Sequence, residues 1–239
     1  MLRGHVFVPV HGPVSGLVYD EGMKEEVFLP YPKNPVATSF SATWLSSSLK
    51  AARERGLLDK YLSHLPARYH DQVLHSVPGT WLPVDVAVAH YEAMDALPMA
   101  DDEIVRIGEE VTERFHGVFF STVFRLARAA GATPWSMFTH SQRMWDRTWV
   151  GGGIAIFKAG PRDARGEFVG WPCARVRYCR VAMRGMMLGT VALFCKKATV
   201  LEIPSLCTDM TLGYRMQWVL QIGSRAQESN LEGCWNLIT

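Results

Sequence analysis

Apolar positions recur along this chain with two different periods, and the change from one to the other divides it. Residues 1–36 hold short apolar runs, Val6 to Val10 and Val27 to Tyr31, broken by Gly12-Pro13, Gly16, Gly22, Pro30, Pro32 and Pro35. That texture predicts an N-terminal extended segment or hairpin. From Ser39 to about Leu65 the spacing turns helical, with Phe40, Trp44, Leu45, Leu49 and Ala52 three to four apart and Gly56 as a stop. Pro66 opens a further short helix. After the Pro78-Gly79 turn, Trp81-Leu-Pro-Val-Asp85 leads into a helix through about Leu97, with Val86, His90, Met94 and Leu97 on its repeat. The strongest stripe follows: capped by Asp101 or Asp102, it runs through Ile104, Ile107, Val111, Phe115, Val118, Phe119 and Val123 to Gly131. About thirty residues of helix would span roughly 45 Å.

Beyond Pro134 the period shortens. Trp145 to Trp149 precede Gly151-Gly152-Gly153 and the strand-like Ile154 to Lys158; Gly160 to Gly166 reads as a turn, and Glu167 to Trp171 or Arg175 to Val181 as the next strand. Gly185 to Phe194 is a buried segment, helical at its start, and Ala198 to Ile203 with Leu212 to Ile222 form an antiparallel pair. Helices first, then strand, strand, helix, strand, strand, predict an α+β fold with N-terminal helices packed on a small, mainly antiparallel sheet. The expected organisation is an extended segment over 1–36, a ligand-binding-type domain over 37–222 and a polar tail over 223–239.

Composition narrows the function classes. In 239 residues, 48% are apolar and 20% charged, enough for a full core and outside the disordered range. Net charge is +2, with Ser141 to Thr239 locally basic at 13 Lys/Arg against 7 Asp/Glu. That bias is mild beside a nucleic-acid footprint, so no nucleic-acid partner is expected. The longest apolar stretch, Gly185 to Cys195, is too short to cross a bilayer, so no membrane partner is expected either. Five cysteines and no secretory pattern at the start predict a cytoplasmic protein with free thiols.

Nucleotide, zincin and Cys-x-x-Cys motifs do not occur. The triple glycine lacks a following Lys-Ser/Thr and reads as a turn. His70-Asp71 and His75 sit on a short helix with no nucleophile visibly paired to them, and no catalytic residue is assigned. Arg177, Arg180 and Arg184 form a cationic run, readable as a solvated, ion-paired face or as a weak anion contact.

Cys179-Arg180-Val-Ala-Met-Arg-Gly185-Met-Met-Leu-Gly189, then Ala198-Thr-Val-Leu-Glu202-Ile-Pro-Ser-Leu-Cys207, then Gly213-Tyr214-Arg-Met-Gln-Trp218, resembles the C-terminal half of four-vinyl-reductase-type sensor domains. It is closer still to a paralogous family of myxobacterial proteins with a glycine-containing helix and a closing Tyr-x-x-x-Trp strand. The resemblance implies a ligand-binding sensory or adaptor domain, often a homodimer. It also implies a zinc ligand pattern Cys-x22-Glu-x2-Cys-x7-Cys. Cys179 and Glu202 fit that pattern, but Ser205 occupies the third place, Cys207 comes two later and Gly213 stands last. A structural zinc wants four ligands, so no metal and no cofactor are expected.

The leading functional reading is a non-enzymatic domain binding a small apolar or aromatic molecule. Its expected site residues are Phe115, His116, Phe119 and Phe120 on the long helix, facing Trp135, Trp145 and Trp149; each of these is also an ordinary core residue type. The alternatives are a protein-protein interaction module that dimerises and, behind it, a haem sensor or enzyme using His116.

Overall fold

The structure is a computed structural model that describes residues 25–33, 35–113 and 131–220. Phe115, His116, Phe119 and Phe120 lie outside those residues, as does the tail from 221. The helical half comprises α1 (Ala42–Glu54), α2 (Leu58–His64), α3 (His70–Leu74), α4 (Val84–Asp95) and α5, described over 101–113. Ser41 caps α1 through its side chain, which accepts from Thr43 N, and Gly56, at φ +67°, turns the chain out of it. Leu45, Leu49 and Ala52 repeat at helical spacing and are buried.

Two short helices, α6 (Pro134–Phe138) and α7 (Ser141–Asp146), lead to the strands. The main sheet contains β1 (Glu26–Leu29), β5 (Gly153–Gly160), β6 (Asp163–Val169), β7 (Lys197–Glu202) and β8 (Thr211–Val219), ordered β1-β5-β6-β8-β7 and antiparallel throughout. The expected strand, strand, helix, strand, strand succession is present, the helix being α8 (Arg177–Ala192). The N-terminal run joins this sheet, because β1 pairs with β5. A second small sheet, not expected from the sequence, sets β2 (Ser39–Ser41) between β3 (Trp81–Pro83) and β4 (Trp149–Val150). It ties the start of α1 to the turn preceding β5.

Three local readings change. Helix α1 begins at Ala42, since Ser39 to Ser41 are strand. The turn after β5 is only two residues long, and β6 already starts at Asp163. Arg175 to Val181 is not strand: it spans the end of a 3-10 turn (Pro172–Arg175) and the first turn of α8. Helix α8 has no capping side chain of its own; the Asp95 carboxylate at the end of α4 accepts from Tyr178 N at 2.9 Å instead.

Register sets the sheet's two faces. Ile154, Phe168 and Leu212 lie opposite one another, as do Ile156, Gly166 and Tyr214, and this face is buried. The other carries Arg165 beside Glu167 and Glu25, and Arg215 beside Asp163. Gly151 and Gly152, at φ +86° and +63°, let the segment around Val36 cross closely; Gly152 N donates to Pro35 O. That amide serves the fold, which supports the turn reading of the triple glycine.

Candidate functional site

A cleft opens where α1, α4, α5 and α8 meet the tryptophan-rich turns. Its walls are Trp44 and Ser48 of α1, Tyr91 of α4, Ile107 and Val111 of α5, Tyr178, Cys179, Met183 and Met186 of α8, and Trp149 and Trp171. About 30 Å³ is open to a water-sized molecule, within about 440 Å³ counted out to the mouth. None of the described lining residues is charged.

The aromatic wall is continuous. Trp149 stacks on Phe40 and Trp145 at 5.6 and 5.7 Å between centroids and meets Trp171 edge-on at 5.6 Å. Trp145 stands behind Trp149 and donates to Gly151 O. Trp135 belongs to a separate group: it packs on Phe28, Phe138 and Trp218, donates to Pro161 O, and is not in the described cleft wall. Of the three expected tryptophans, then, Trp149 lines the cleft, Trp145 supports it and Trp135 stands apart.

Two lining residues carry buried hydrogen-bond donors that find no partner among the described residues, Trp171 Nε1 and Tyr178 Oη. A fully buried donor costs about 1–3 kcal/mol when unsatisfied, so native proteins rarely leave one without a reason. Burial raises the Tyr178 hydroxyl well above the usual phenol range, so it keeps its proton and remains a donor.

Ser48 belongs to a buried chain. Its Oγ lies 2.5 Å from His90 Nε2, and Tyr61 Oη lies 2.8 Å from His90 Nδ1, linking α1, α4 and α2 through one imidazole. Nucleophile, ring and orienting group follow the order of a catalytic triad, but the energetics differ. Burial pushes His90 down to about 3, and the partner on Nδ1 is a neutral phenol rather than a carboxylate. A ring so unwilling to take a proton is a poor general base at neutral pH. The sequence reading placed His90 on an apolar helical repeat but did not assign it, and it missed Ser48 within a run of three serines.

The remaining candidates scatter. Arg177 is paired with Asp95 and Asp101, Arg180 lies 3.9 Å from Glu202, and Arg184 is half-buried one turn further on. Cys179 is buried against Cys173, which together with burial raises its thiol well above the usual range. Cys207 Sγ donates to Ile203 O. Among the described residues no group of three or more His, Cys, Asp or Glu is placed to hold a metal. His75 pairs with Asp71 on an exposed turn, and His70 Nε2 contacts Leu65 O. No described helix is long and apolar enough to cross a membrane.

No family model matches this chain, and no curated protein is similar to it. Solved structures do share its fold. The unliganded Fe(II) H-NOX protein of K. algicida is similar with a TM-score of 0.56 at 10% identity, over 76% of this chain and 98% of that one. A mutant H-NOX of T. tengcongensis gives 0.52 at 12% identity, over 76% and 99%. An H-NOX structure from work on haem distortion gives 0.52 at 10%, over 78% and 100%. At such identities the likeness is one of fold. It supports the α+β architecture, while the four-vinyl-reductase resemblance rests on the residues of the second half alone.

Proposed function

We propose that this chain is a non-enzymatic sensory or adaptor domain that takes a small, neutral, largely aromatic molecule into the cleft between α1, α4, α5 and α8. The observation supporting this is the pair of donors without a partner among the described residues, Trp171 Nε1 and Tyr178 Oη, on residues of a mostly apolar wall. Mostly apolar walls with a few placed polar groups are the usual make-up of a ligand site. An acceptor on the ligand satisfies the two donors, and its apolar body lies against Trp149 and Met183. Without a charged group in the described wall, a carboxylate or phosphate would be desolvated without compensation. Ile107 and Val111 are cleft residues; Phe115 and Phe119 continue their four-residue spacing in the sequence, and the proposal keeps them, with His116 and Phe120, as ligand-binding residues.

Haem, the group named for one of the fold neighbours, does not fit the described wall. No described residue of the wall is a histidine, and both ring nitrogens of His90 are engaged; His116, the haem-ligand candidate of the sequence, lies outside the described residues. Cys179 is held in the thiol form, Met183 and Met186 offer only weak thioether ligands, and no described Arg or Lys lines the cleft to pair with propionates.

Native mass spectrometry of freshly purified protein tests the reading. The expected result is a bound neutral organic molecule, lost in Trp171→Phe, on a homodimer of the kind the family resemblance implies. Ligand-free protein that no small aromatic stabilises, or one haem per chain after expression with haem, would overturn it.

A further inference from the structure

The protons of the buried Ser48–His90–Tyr61 chain can be assigned by asking which arrangement leaves each with an acceptor. Among the described residues Tyr61 Oη has one hydrogen-bond partner, His90 Nδ1, and Tyr61 is wholly buried. If Nδ1 carried the ring proton, the phenol proton would have nowhere to go. Nδ1 is therefore the acceptor, and the ring proton sits on Nε2. Burial holds the ring neutral, so there is only that one proton to place. Nε2 then donates to Ser48 Oγ, and the Ser48 proton turns to Leu45 O at 3.1 Å or Trp44 O at 3.3 Å within α1. Every proton in the chain has an acceptor in this arrangement alone.

One consequence concerns Ser48 itself. Its hydroxyl oxygen accepts from His90 and donates back into its own helix, which leaves it one further lone pair. Ser48 lines the cleft, and that lone pair is the one assigned to a ligand. Residues of the described cleft wall thus carry, among their polar atoms, two donors without a described partner, Trp171 Nε1 and Tyr178 Oη, and an acceptor, Ser48 Oγ, none of them charged.

We propose that Ser48 is the specificity-determining residue of the cleft, fixed as an acceptor by His90 and Tyr61, and that it selects ligands bearing a neutral hydroxyl of the phenol type. A single such hydroxyl donates its proton to Ser48 and accepts on its oxygen from Tyr178 and Trp171. An aryl ether of the same shape accepts but has nothing to give Ser48. His90 and Tyr61 are positioning residues, holding Ser48 in the acceptor role without touching the ligand. This rests on the cleft being the ligand site.

The probes are phenol and its methyl ether, anisole, titrated against the full chain by calorimetry. One net hydrogen bond corresponds to a preference of about threefold to tenfold for phenol in the wild type. Ser48→Ala is expected to erase the preference for phenol over anisole, and Ser48→Thr, which keeps the hydroxyl, to retain it. Nitrogen NMR of ligand-free protein supplies a readout independent of binding: His90 is expected as the Nε2–H tautomer. An Nδ1–H tautomer, or a phenol preference that survives in Ser48→Ala, overturns the inference. Binding of both probes without preference overturns it and leaves the cleft reading standing; binding of neither to the wild type overturns both.

Discussion

Gly185 of α8 sits against the backbone carbonyl of Val105 of α5 so closely that a Cβ there would overlap it. Gly108 meets Ala182 O in the same way, so the two helices touch backbone to backbone where they wall the cleft. Gly185→Ala is therefore expected to cost about 1–3 kcal/mol or more, since a main-chain neighbour cannot swing aside. Gly189 is the control. The atoms nearest to its added Cβ would be those of the Thr112 side chain, at 3.2–3.4 Å, and the helix-propensity gain of about 1 kcal/mol from Gly to Ala offsets that crowding. Urea denaturation of the two variants checks the contrast; equal losses would show that the close crossing is not what holds these helices.

Much of this architecture was legible because the periods were clean. Leu45, Leu49 and Ala52 announce α1, and Ala198 to Ile203 with Leu212 to Ile222 announce the β7/β8 pair. The failure at Arg175 to Val181 has a local cause and a remote one. Val176 and Tyr178 alternate with arginines, which is strand texture, whereas the cap that starts α8 there comes from Asp95, far away in sequence. The site was half legible for a related reason. Trp149 could be named from its density of aromatic neighbours, but Trp171 and Tyr178 stand out by donors without a partner among the described residues, which no spacing reveals. Ser48 in a triple-serine run looks like a solvated face until His90 is placed against it.

His90 makes stability depend on pH. Its folded value, about 3, lies below the ordinary 6.5, so below pH 6.5 the unfolded chain binds a proton that the fold refuses. Stability is full above 6.5 and falls as pH drops toward 3, by about 2 kcal/mol at pH 5. Melting temperatures across pH 7 to 5 should decline in the wild type and flatten in His90→Gln, whatever that variant's overall stability. Equal slopes would place the titrating group elsewhere.

On the far face of the sheet, Glu167 is buried beside Arg165 and accepts a hydrogen bond from Tyr31 Oη at 2.7 Å. Removing the cation strands a buried carboxylate. Arg165→Leu is expected to cost about 3 kcal/mol, and the double change Arg165→Leu with Glu167→Leu to recover much of it. Additive losses in a denaturation cycle would contradict that pairing.

The central claim is that the Tyr178 hydroxyl, which has no partner among the described residues, is there for a ligand to use, and Tyr178→Phe tests it most directly. Deleting a buried hydroxyl that bonds to nothing among the described residues should leave the stability of ligand-free protein unchanged or raise it, by up to about 1–3 kcal/mol. Binding of phenol, measured on the same preparation, should weaken about fivefold. A variant that binds phenol as the wild type does, or one that loses 2 kcal/mol or more of stability in the absence of any ligand, would contradict the account.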